Sequence, residues 1–259
     1  MQDLPQIKSG NLSWGRAMQN LLVPPVCIAC VNPLDDRRCL QICEHCCDRV
    51  SRPELKRKCR RCSARFRGEA STIPQCYFCQ DVRLPFASVT SVANYDGLLR
   101  DLVIRMKSRH GQAVALQLGV WLARIVESRR QSGEIDSIDI VSPMPIHWMR
   151  KLRRGFNVAG LLVESIAQSA EFNGKQQELL VASRKTRKQG TLSITQRFDN
   201  VKDCFEISGK PDLKGASILL VDDVMTSGAT AIQAGNRLLR AGARQIHLAI
   251  VARGIGRQP

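Results

Sequence analysis

The chain has 259 residues, enough for one large domain or two smaller ones, and a formal net charge of +16. No apolar run reaches the about 18 residues that span a bilayer, and residues 1–22 lack the apolar core of a signal peptide. We therefore expect a cytoplasmic protein without membrane insertion, whose charge favours an anionic partner, either nucleic acid or phosphorylated metabolites, unless its surface is simply basic.

The first segment, residues 1–26, is predicted to be a helical lead to which we assign no function. Its apolar residues recur at helical spacing until two prolines, Pro24 and Pro25, end the helix. They are Trp14, Met18, Leu21 and Leu22.

The second segment, residues 27–84, contains ten of the eleven cysteines, and eight of them form Cys-x-x-Cys pairs. Such pairs in a reducing compartment indicate a metal rather than disulfides, and two pairs together close a tetrahedral Zn²⁺ site. The segment is too small and polar to fold on an apolar core alone. We therefore expect a double zinc ribbon that holds two structural Zn²⁺ ions, with the ligands Cys27, Cys30, Cys43, Cys46, Cys59, Cys62, Cys76 and Cys79.

The pairing of the ligands is open at this point. Sequential pairs are the simplest choice, but interleaved pairs fit the spacing as well. Cys47 could replace Cys46, and Cys39 is a thiol outside both sets. We predict that His45 is a solvated loop residue rather than a ligand.

A basic run surrounds the third cysteine pair, at Lys56, Arg57, Lys58, Arg60, Arg61, Arg65 and Arg67. A ribbon with a basic face could contact a phosphate backbone, so single-stranded DNA is a candidate partner. A solvated basic surface is the simpler interpretation. Only Phe66, Tyr77 and Phe78 offer aromatic stacking nearby, which supports a single-strand platform weakly.

The third segment, residues 85–259, alternates strand and helix patterns, which predicts an α/β domain with a parallel sheet flanked by helices. The polar basic segment 184–189 is a candidate mobile loop that ends near Arg197 and Asn200. In chain order we expect strands over 87–95, 138–141, 179–182, 218–221 and 245–252, and helices over 98–106, 114–125, 158–166 and 231–239.

The stretch 217–230 is where we expect the functional site. An apolar strand is followed by Asp222 and Asp223, and then by Thr226, Ser227 and Thr230 around a glycine, immediately before a helix. Hydroxyls and N–H groups at a helix N-terminus bind phosphate, and carboxylates accept hydrogen bonds from sugar hydroxyls. The pattern predicts a ribose 5-phosphate site, although an Asp-rich turn that only caps the helix would look similar. It is neither a P-loop nor a dinucleotide fingerprint.

This stretch resembles the phosphoribosyl pyrophosphate (PRPP) motif of type I phosphoribosyltransferases, and residues 27–253 resemble the ComF family. The wider resemblance rests on the four cysteine pairs and the PRPP-type motif, together with residues 95–97 followed by 102–107, 142–145, 153–157, 184–189, Arg197 and Asn200. The family usually has Val-Pro-Val-Pro where this chain has Ser142-Pro143-Met144-Pro145, and Ser227 replaces a second threonine.

The resemblance implies a type I phosphoribosyltransferase domain that binds PRPP with Mg²⁺. It implies catalytic roles for Asp222, Asp223 and Arg154, with Arg153, Arg154 and Lys188 as candidates for the diphosphate unless they are surface charges. It also implies a role in DNA uptake with competence machinery proteins, either as a transferase with an unknown acceptor or as a non-catalytic single-stranded-DNA-binding competence factor. The implied PRPP contacts are Asp222, Asp223, Met225, Thr226, Ser227, Gly228, Ala229, Thr230, Arg153, Arg154 and Lys188.

Overall fold

A computed structural model of the chain describes residues 25–34, 41–52, 54–169, 172–184 and 194–255. The predicted helix before Pro24, the extra thiol of Cys39 and the candidate diphosphate ligand Lys188 lie outside these residues. The chain divides into two compact units, Met1–Cys47 and Asp48–Pro259, which we describe separately.

The smaller unit holds the first two cysteine pairs. Val26 and Pro33 form an isolated antiparallel bridge, and the turn between them carries Cys27 and Cys30. Cys43 directly precedes helix α1, Glu44–Ser51, and Cys46 lies in its first turn. A turn and a helix start therefore each supply one pair of thiols.

The larger unit contains all ten strands and the six further helices of the described residues. The strands are β1 Leu55–Cys59, β2 Arg65–Phe66, β3 Gly68–Ile73, β4 Ser88–Asn94, β5 Ile140–Pro143, β6 Lys175–Gln176, β7 Leu180–Ala182, β8 Phe205–Ile207, β9 Ser217–Met225 and β10 Gln245–Arg253. The helices are α2 Gly97–Met106, α3 Gln112–Gln131, α4 Trp148–Arg154, α5 Val158–Ala167, α6 Ile194–Val201 and α7 Ala229–Arg240.

Five strands form an all-parallel sheet in the order β4-β10-β9-β5-β6. Strand β9 lies in the middle of this sheet. Its residues 217–221 are buried, as expected for a parallel strand covered on both faces. It pairs with β10 as far as Met225 but with β5 only as far as Val221. The last four residues of β9 therefore project beyond β5 at the carboxyl edge of the sheet, where ligands bind in open α/β folds.

A smaller sheet has the order β2-β1-β3. The third cysteine pair lies at and after the end of β1, and the fourth pair follows β3. Cys59, Cys62, Cys76 and Cys79 are buried in the same core cluster as Val89 and Ile218 of the main sheet. The second group of cysteines therefore packs as part of the larger unit.

Helices α3 and α5 pack closely because Gly119 has no side chain. A Cβ atom at Gly119 would lie 2.5 Å from Ser165 Oγ and 3.2 Å from Leu162 Cα. Ser165 Oγ donates to the carbonyl of Leu116, also on α3, at 3.1 Å. The contact fixes how α5 lies against the sheet and so where its N-terminus begins.

The structure confirms the predicted α/β class and four of the five expected strands of the parallel sheet, with four differences. Strand β9 continues through both aspartates to Met225, instead of ending before them. The strand expected over 179–182 pairs antiparallel with β8 in a separate two-stranded sheet, and the unpredicted strand β6 is the fifth strand of the parallel sheet. Arg197 and Asn200 lie in helix α6, whereas residues 185–189 of the candidate mobile loop lie outside the described residues. No helix within the described ranges is both long enough and apolar enough to cross a bilayer.

Candidate functional site

A concavity lies at the carboxyl end of β9, with an empty volume of about 210 Å³ that includes open solvent. Its wall combines one carboxylate, the backbone of the following turn and the start of α7. The lining residues are Asp222, Val224, Met225, Thr226, Gly228, Ala229, Thr230 and Ala231. The structure thus brings together most of the residues that the PRPP-type motif predicts.

The segment from Met225 to Gly228, which we call the hydroxyl turn, is shaped by Gly228. This residue has φ +82° and precedes the first residue of α7. Left-handed backbone is open to glycine without a steric penalty. Ser227 Oγ accepts a hydrogen bond from the Ala229 N–H at 3.4 Å. The turn therefore aims the N-terminus of a 12-residue helix, with its partial positive charge, into the concavity.

The two aspartates lie on opposite faces of β9, because side chains alternate along a strand. Asp222 and Val224 line the concavity, whereas Asp223 does not. Asp223 Oδ2 instead forms an ion pair with Lys107 Nζ at 2.9 Å, at the C-cap of α2. The joint role of both acids on one ribose stays a prediction. Of the two, Asp222 is the one whose position favours contact with a ribose in the concavity.

The pKa of Asp222 is raised to about 7, first by burial and then by the charge of Asp223. The N–H of Asp223, which donates to Asp222 Oδ1 at 2.8 Å, and the charge of Lys107 act in the opposite direction. A half-buried carboxylate at this place holds its charge at an energetic cost until a hydrogen-bond donor enters.

The Arg153–Asn157 stretch joins two helices at the carboxyl edge. Gly155 ends α4 with φ +91°, and Phe156 is buried. Asn157 caps α5 by accepting from the Ala159 N–H at 3.2 Å, and its Nδ2 donates to the carbonyl of Met144 at 3.1 Å. Because the Met144 N–H donates to the carbonyl of Val221, the motif is tied to the base of the β9 projection.

The candidate diphosphate residues do not line the concavity. Arg153 is exposed and Arg154 is half-buried at the end of α4, and neither contributes to the wall. Their role in binding a diphosphate stays a prediction, as does that of Lys188 outside the described residues.

Two four-cysteine clusters are present, and they join the cysteine pairs in sequential order. One consists of Cys27, Cys30, Cys43 and Cys46, and the other of Cys59, Cys62, Cys76 and Cys79. Within each cluster the sulfur atoms lie within 4.8 Å of one another. Tetrahedral zinc with Zn–S bonds of about 2.3 Å requires sulfurs roughly 3.8 Å apart. Both clusters therefore fit structural zinc sites without an open position.

Two alternatives for the first cluster are resolved by the geometry. Cys47 lies outside it, and its thiol donates to the carbonyl of Ile42 at 3.8 Å. His45 is exposed, as expected, but it lies in α1 rather than in a loop.

Each cluster contains a thiol whose pKa is lowered. Burial opposes ionisation of Cys27, but hydrogen bonds from neighbouring backbone groups, that of the Cys43 N–H first, lower its pKa to about 6. Hydrogen bonds with the thiols of Cys59 and Cys76 lower the pKa of Cys62, and the charge of Arg253 lowers it further. Burial raises the pKa of Cys43, Cys46 and Cys79, so a metal has to displace the protons of these thiols when it binds, because thiolates are the form in which cysteine binds a metal.

Two charged residues at the site were not assigned a role from the sequence. Lys107 was only the end of an apolar helix pattern, yet it pairs with Asp223. Arg253 ends the last strand and donates to the carbonyls of Met225 and Thr226. The position of Arg253 at the end of an apolar strand was the available signal for a role at the site. Its hydrogen-bond partners could not be predicted, because they depend on the pairing of distant strands.

Comparison with known proteins agrees with the architecture. The phosphoribosyl transferase domain model matches residues 152–259. DNA utilization protein YhgH of Escherichia coli K12 is 28% identical over 229 residues, which cover 88% of this chain and 96% of that protein. Competence protein F of Haemophilus influenzae is 24% identical over 163 residues, covering 62% of this chain and 71% of that protein.

Solved structures were also compared. The glutamine PRPP amidotransferase of B. subtilis matches 54% of this chain and 26% of its own, with a TM-score of 0.36 and 18% identity. A hypoxanthine phosphoribosyl transferase of Trypanosoma cruzi matches 57% of this chain and 70% of its own, with a TM-score of 0.35 and 12% identity.

The parallel sheet and the domain match identify a type I phosphoribosyltransferase fold, joined to two clusters that fit zinc ribbons. The chain is thus a homologue of YhgH and Competence protein F with a phosphoribosyl transferase domain, as its resemblance to the ComF family predicts.

Proposed function

We propose that the α/β part of the larger unit binds PRPP with Mg²⁺ and transfers its phosphoribosyl group to a nucleophilic acceptor. The observation that carries the proposal is the concavity at the end of the central strand, whose lining combines one carboxylate with the hydroxyl turn. A group that offers hydroxyls to one side and a phosphate to the other is a phosphorylated sugar.

The 5-phosphate is assigned to the hydroxyl turn. The first N–H groups of an α-helix have no partners within the helix, and they attract anions together with the helix dipole. Thr226 and Thr230 add hydroxyl groups to the lining. Val224 and Ala231 add apolar atoms to the lining.

The ribose is assigned to Asp222. Its carboxylate accepts hydrogen bonds from the sugar hydroxyls, and the donors offset the burial and repulsion that raise its pKa. Asp223 would remain with Lys107 or exchange that partner for a hydroxyl.

Transfer breaks the C1–O bond, whose electron pair leaves with pyrophosphate, while a lone pair of the acceptor forms the new bond to C1. The acceptor proton passes to solvent or to a carboxylate. This chain contributes orientation and charge: Asp222 faces the ribose, and Arg153, Arg154 and Lys188 are proposed to stabilise the leaving diphosphate. Mg²⁺, which takes few protein ligands, would supply positive charge that offsets the charge developing on the diphosphate.

The Gly228→Val variant is expected to bind PRPP at least about tenfold more weakly than the wild type. A β-branched residue at φ +82° is strained by about 1–3 kcal/mol, and its Cβ would lie 3.4 Å from Ile232 Cδ1. Calorimetry with PRPP and Mg²⁺ measures the change. Gly209→Val is the matched control, because Gly209 has φ +68° with open space around it, far along the chain from the turn.

Catalysis is tested separately by mass-spectrometric detection of pyrophosphate with a panel of bases and amines. PRPP binding without pyrophosphate release from any acceptor would leave a ligand site and remove the transferase proposal. Absence of PRPP binding by the wild type would remove both.

A second candidate function is binding of single-stranded DNA in the cytoplasm, in contact with competence machinery. The relatives are named for DNA utilization and competence, and paired cysteines suit a reducing compartment. The structure adds one specific observation, because Lys56, Arg57 and Arg60 are exposed on or beside β1. Tyr77 is 65% exposed and lies edge-on to Phe78 at 5.6 Å. Bases stack on such side chains.

Replacement of these three cations by glutamine is expected to flatten the salt dependence of DNA binding. Each phosphate contact contributes about 0.7 to the slope of log K against log salt for single strands, so three lost contacts lower it by roughly 2. Fluorescence anisotropy of a labelled oligonucleotide between low and moderate salt measures the slope. The control carries glutamine at Arg237, Arg240 and Arg244, which are equally exposed. The assignment of DNA to β1 is wrong if both triple variants behave alike.

A further inference from the structure

Arg253 is a buried cation whose hydrogen bonds run to the hydroxyl turn. Its side chain is 2% exposed at the end of β10. Nη1 donates to the carbonyl oxygens of Met225 at 3.0 Å and Thr226 at 2.6 Å, and also to the carbonyl of Gly254. One guanidinium thus holds the first two carbonyls of the turn from beneath.

The position of these carbonyls decides where the neighbouring N–H groups point. In a trans peptide the C=O and N–H bonds point in opposite directions. A Met225 carbonyl drawn inward to Arg253 therefore turns the N–H of Thr226 outward, and the Thr226 carbonyl does the same for Ser227. Outward N–H groups in the hydroxyl turn are what an oxyanion in the concavity requires.

Gly254 allows this arrangement by bringing the chain after β10 against the turn. Its N–H donates to the Met225 carbonyl at 2.8 Å. A Cβ atom at Gly254 would lie 2.7 Å from Thr226 Cγ2 and 3.3 Å from Thr226 Cα. The end of β10 and the turn therefore interlock, and a side chain here would push them apart.

Arg253 is connected on its other side to the second cysteine cluster. In the pairing of β10 with β4, Arg253 lies opposite Asn94. Asn94 is buried, its Oδ1 accepts from the Arg65 N–H at 3.1 Å, and its Nδ2 donates to the Arg65 carbonyl at 2.8 Å. Next to these bonds, Ser63 Oγ and Ser91 Oγ share a hydrogen bond of 2.9 Å. The loop that follows Cys62 is therefore fastened to β4 directly beside Arg253.

We propose that Arg253 is a positioning residue for the hydroxyl turn, and that the second cysteine cluster braces it through Asn94. The cysteine loop fixes β4, β4 fixes the end of β10, and Arg253 fixes the peptide planes of the turn. Arg253 suits this task because its buried Nη1 reaches the carbonyls of Met225, Thr226 and Gly254 together, while its Nε has no hydrogen-bond partner among the described residues. The identity of the anion as a 5-phosphate rests on the proposed function, but the bracing of the turn does not.

The test is hydrogen–deuterium exchange, in the full chain without ligand, of two hydrogen-bonded amides that we call the turn amides. They are Ala229, whose N–H donates to Ser227 Oγ, and Gly254, whose N–H donates to the Met225 carbonyl at 2.8 Å. Arg253→Lys keeps the charge, but the lysine nitrogen ends one bond short of the position of Nη1, so exchange at these amides is expected to rise about tenfold, the loss of roughly one net hydrogen bond. PRPP affinity is expected to fall by a similar factor, while the zinc content stays at that of the wild type. Unchanged exchange at the turn in a folded Arg253→Lys protein overturns the proposal.

Ser88→Ala is the matched control. It removes the buried hydrogen bond of 2.8 Å between Ser88 Oγ and His247 Nδ1, which joins the same two strands at the opposite edge of the sheet. Its turn amides should exchange as in the wild type, even if its melting temperature falls. An equal rise in both variants would mean a general loss of stability and would overturn the positioning role.

Two further variants keep the proposal testable if Arg253→Lys does not fold. Asn94→Asp keeps the acceptor for the Arg65 N–H but loses the donor to the Arg65 carbonyl, and we expect exchange of the turn amides to rise by less than tenfold. Gly254→Ala displaces the turn from the other side and should raise the exchange as well. If the wild type binds no PRPP, the exchange results still decide the bracing, and only the proposed function fails.

Discussion

The Asp222→Asn variant is expected to lose PRPP binding and yet to melt at a higher temperature than the wild type at pH 8. The carboxylate accepts hydrogen bonds from the ribose in our proposal, and the loss of bonds to a charged acceptor costs about 1.5–3 kcal/mol, or at least about a tenfold loss of affinity. Asparagine keeps the acceptor for the Asp223 N–H at the same position. The gain in stability follows from the charge that asparagine lacks.

The sign of the stability change follows from the pKa of Asp222. Burial and the charge of Asp223 raise this pKa from 3.8 to about 7. Between these two values the native state binds more protons than the unfolded state, so the free energy of unfolding falls as the pH rises. Above pH 7 the charged carboxylate destabilises the native protein, by about 1 kcal/mol once solvent screening is allowed for. That corresponds to roughly 2–4 °C in melting temperature.

Thermal unfolding at pH 6 and pH 8, where the zinc sites stay loaded, together with calorimetry at pH 8, measures both parts of this prediction. The gain of the variant should be smaller at pH 6 than at pH 8, because most of the wild-type carboxyl is protonated in the native state at pH 6. Asp139→Asn is the control, because Asp139 Oδ2 accepts from the Ser217 N–H at 2.8 Å at the other end of β9. A variant that binds PRPP as tightly as the wild type would contradict the assignment of the ribose to Asp222.

The Cys62→Ser variant is expected to lose one of two zinc ions and to unfold much of the larger unit. The second cluster is buried in the same core as the main sheet. A structural zinc contributes about 10–16 kcal/mol of apparent binding free energy, which is as large as the whole stability of an ordinary domain. We expect the melting temperature to fall by more than about 10 °C, and the secondary structure of the sheet to be affected as well.

Metal analysis and circular dichroism measure this result, with two controls. Cys204→Ser makes the same chemical change at a buried cysteine outside both clusters and should keep both zinc ions. The double variant Cys30→Ser with Cys43→Ser should also lose only one zinc ion, because sequential pairing places both thiols on the same metal. Loss of both ions from this double variant would point to interleaved ligands and would contradict the geometry.

The sequence predicts those parts of the fold that depend on residues close together in the chain. The four cysteine pairs lie within 53 residues, from Cys27 to Cys79, and short apolar runs identify the strands of the sheet. The hydroxyl turn follows its strand directly, so its place at the carboxyl edge is predictable. These expectations required only spacing, polarity and the direction of parallel strands.

The rest depends on pairing between distant residues. Neighbouring aspartates suggest one joint role until the strand is known to continue through both and to turn them to opposite faces. The ion pair of Lys107 with Asp223 joins residues more than a hundred positions apart. The packing of the second cluster with the sheet depends on Asn94 and Ser91, which look like ordinary strand residues in the sequence. Local patterns contain none of this information.

The pairing of β4 with β10 has a consequence for synthesis on the ribosome. Among the described strands, β4, the first strand of the parallel sheet, pairs in that sheet only with β10, the last one. It can therefore find this neighbour only after the last strand has been translated, as the 159-residue separation of Ser88 and His247 illustrates. Nascent chains therefore expose one flank of β4 for most of translation, a situation in which unpaired strands invite misassembly. Early capture of metal by the cysteine loop that fastens to β4 would give this strand a partner while the remainder is still being made.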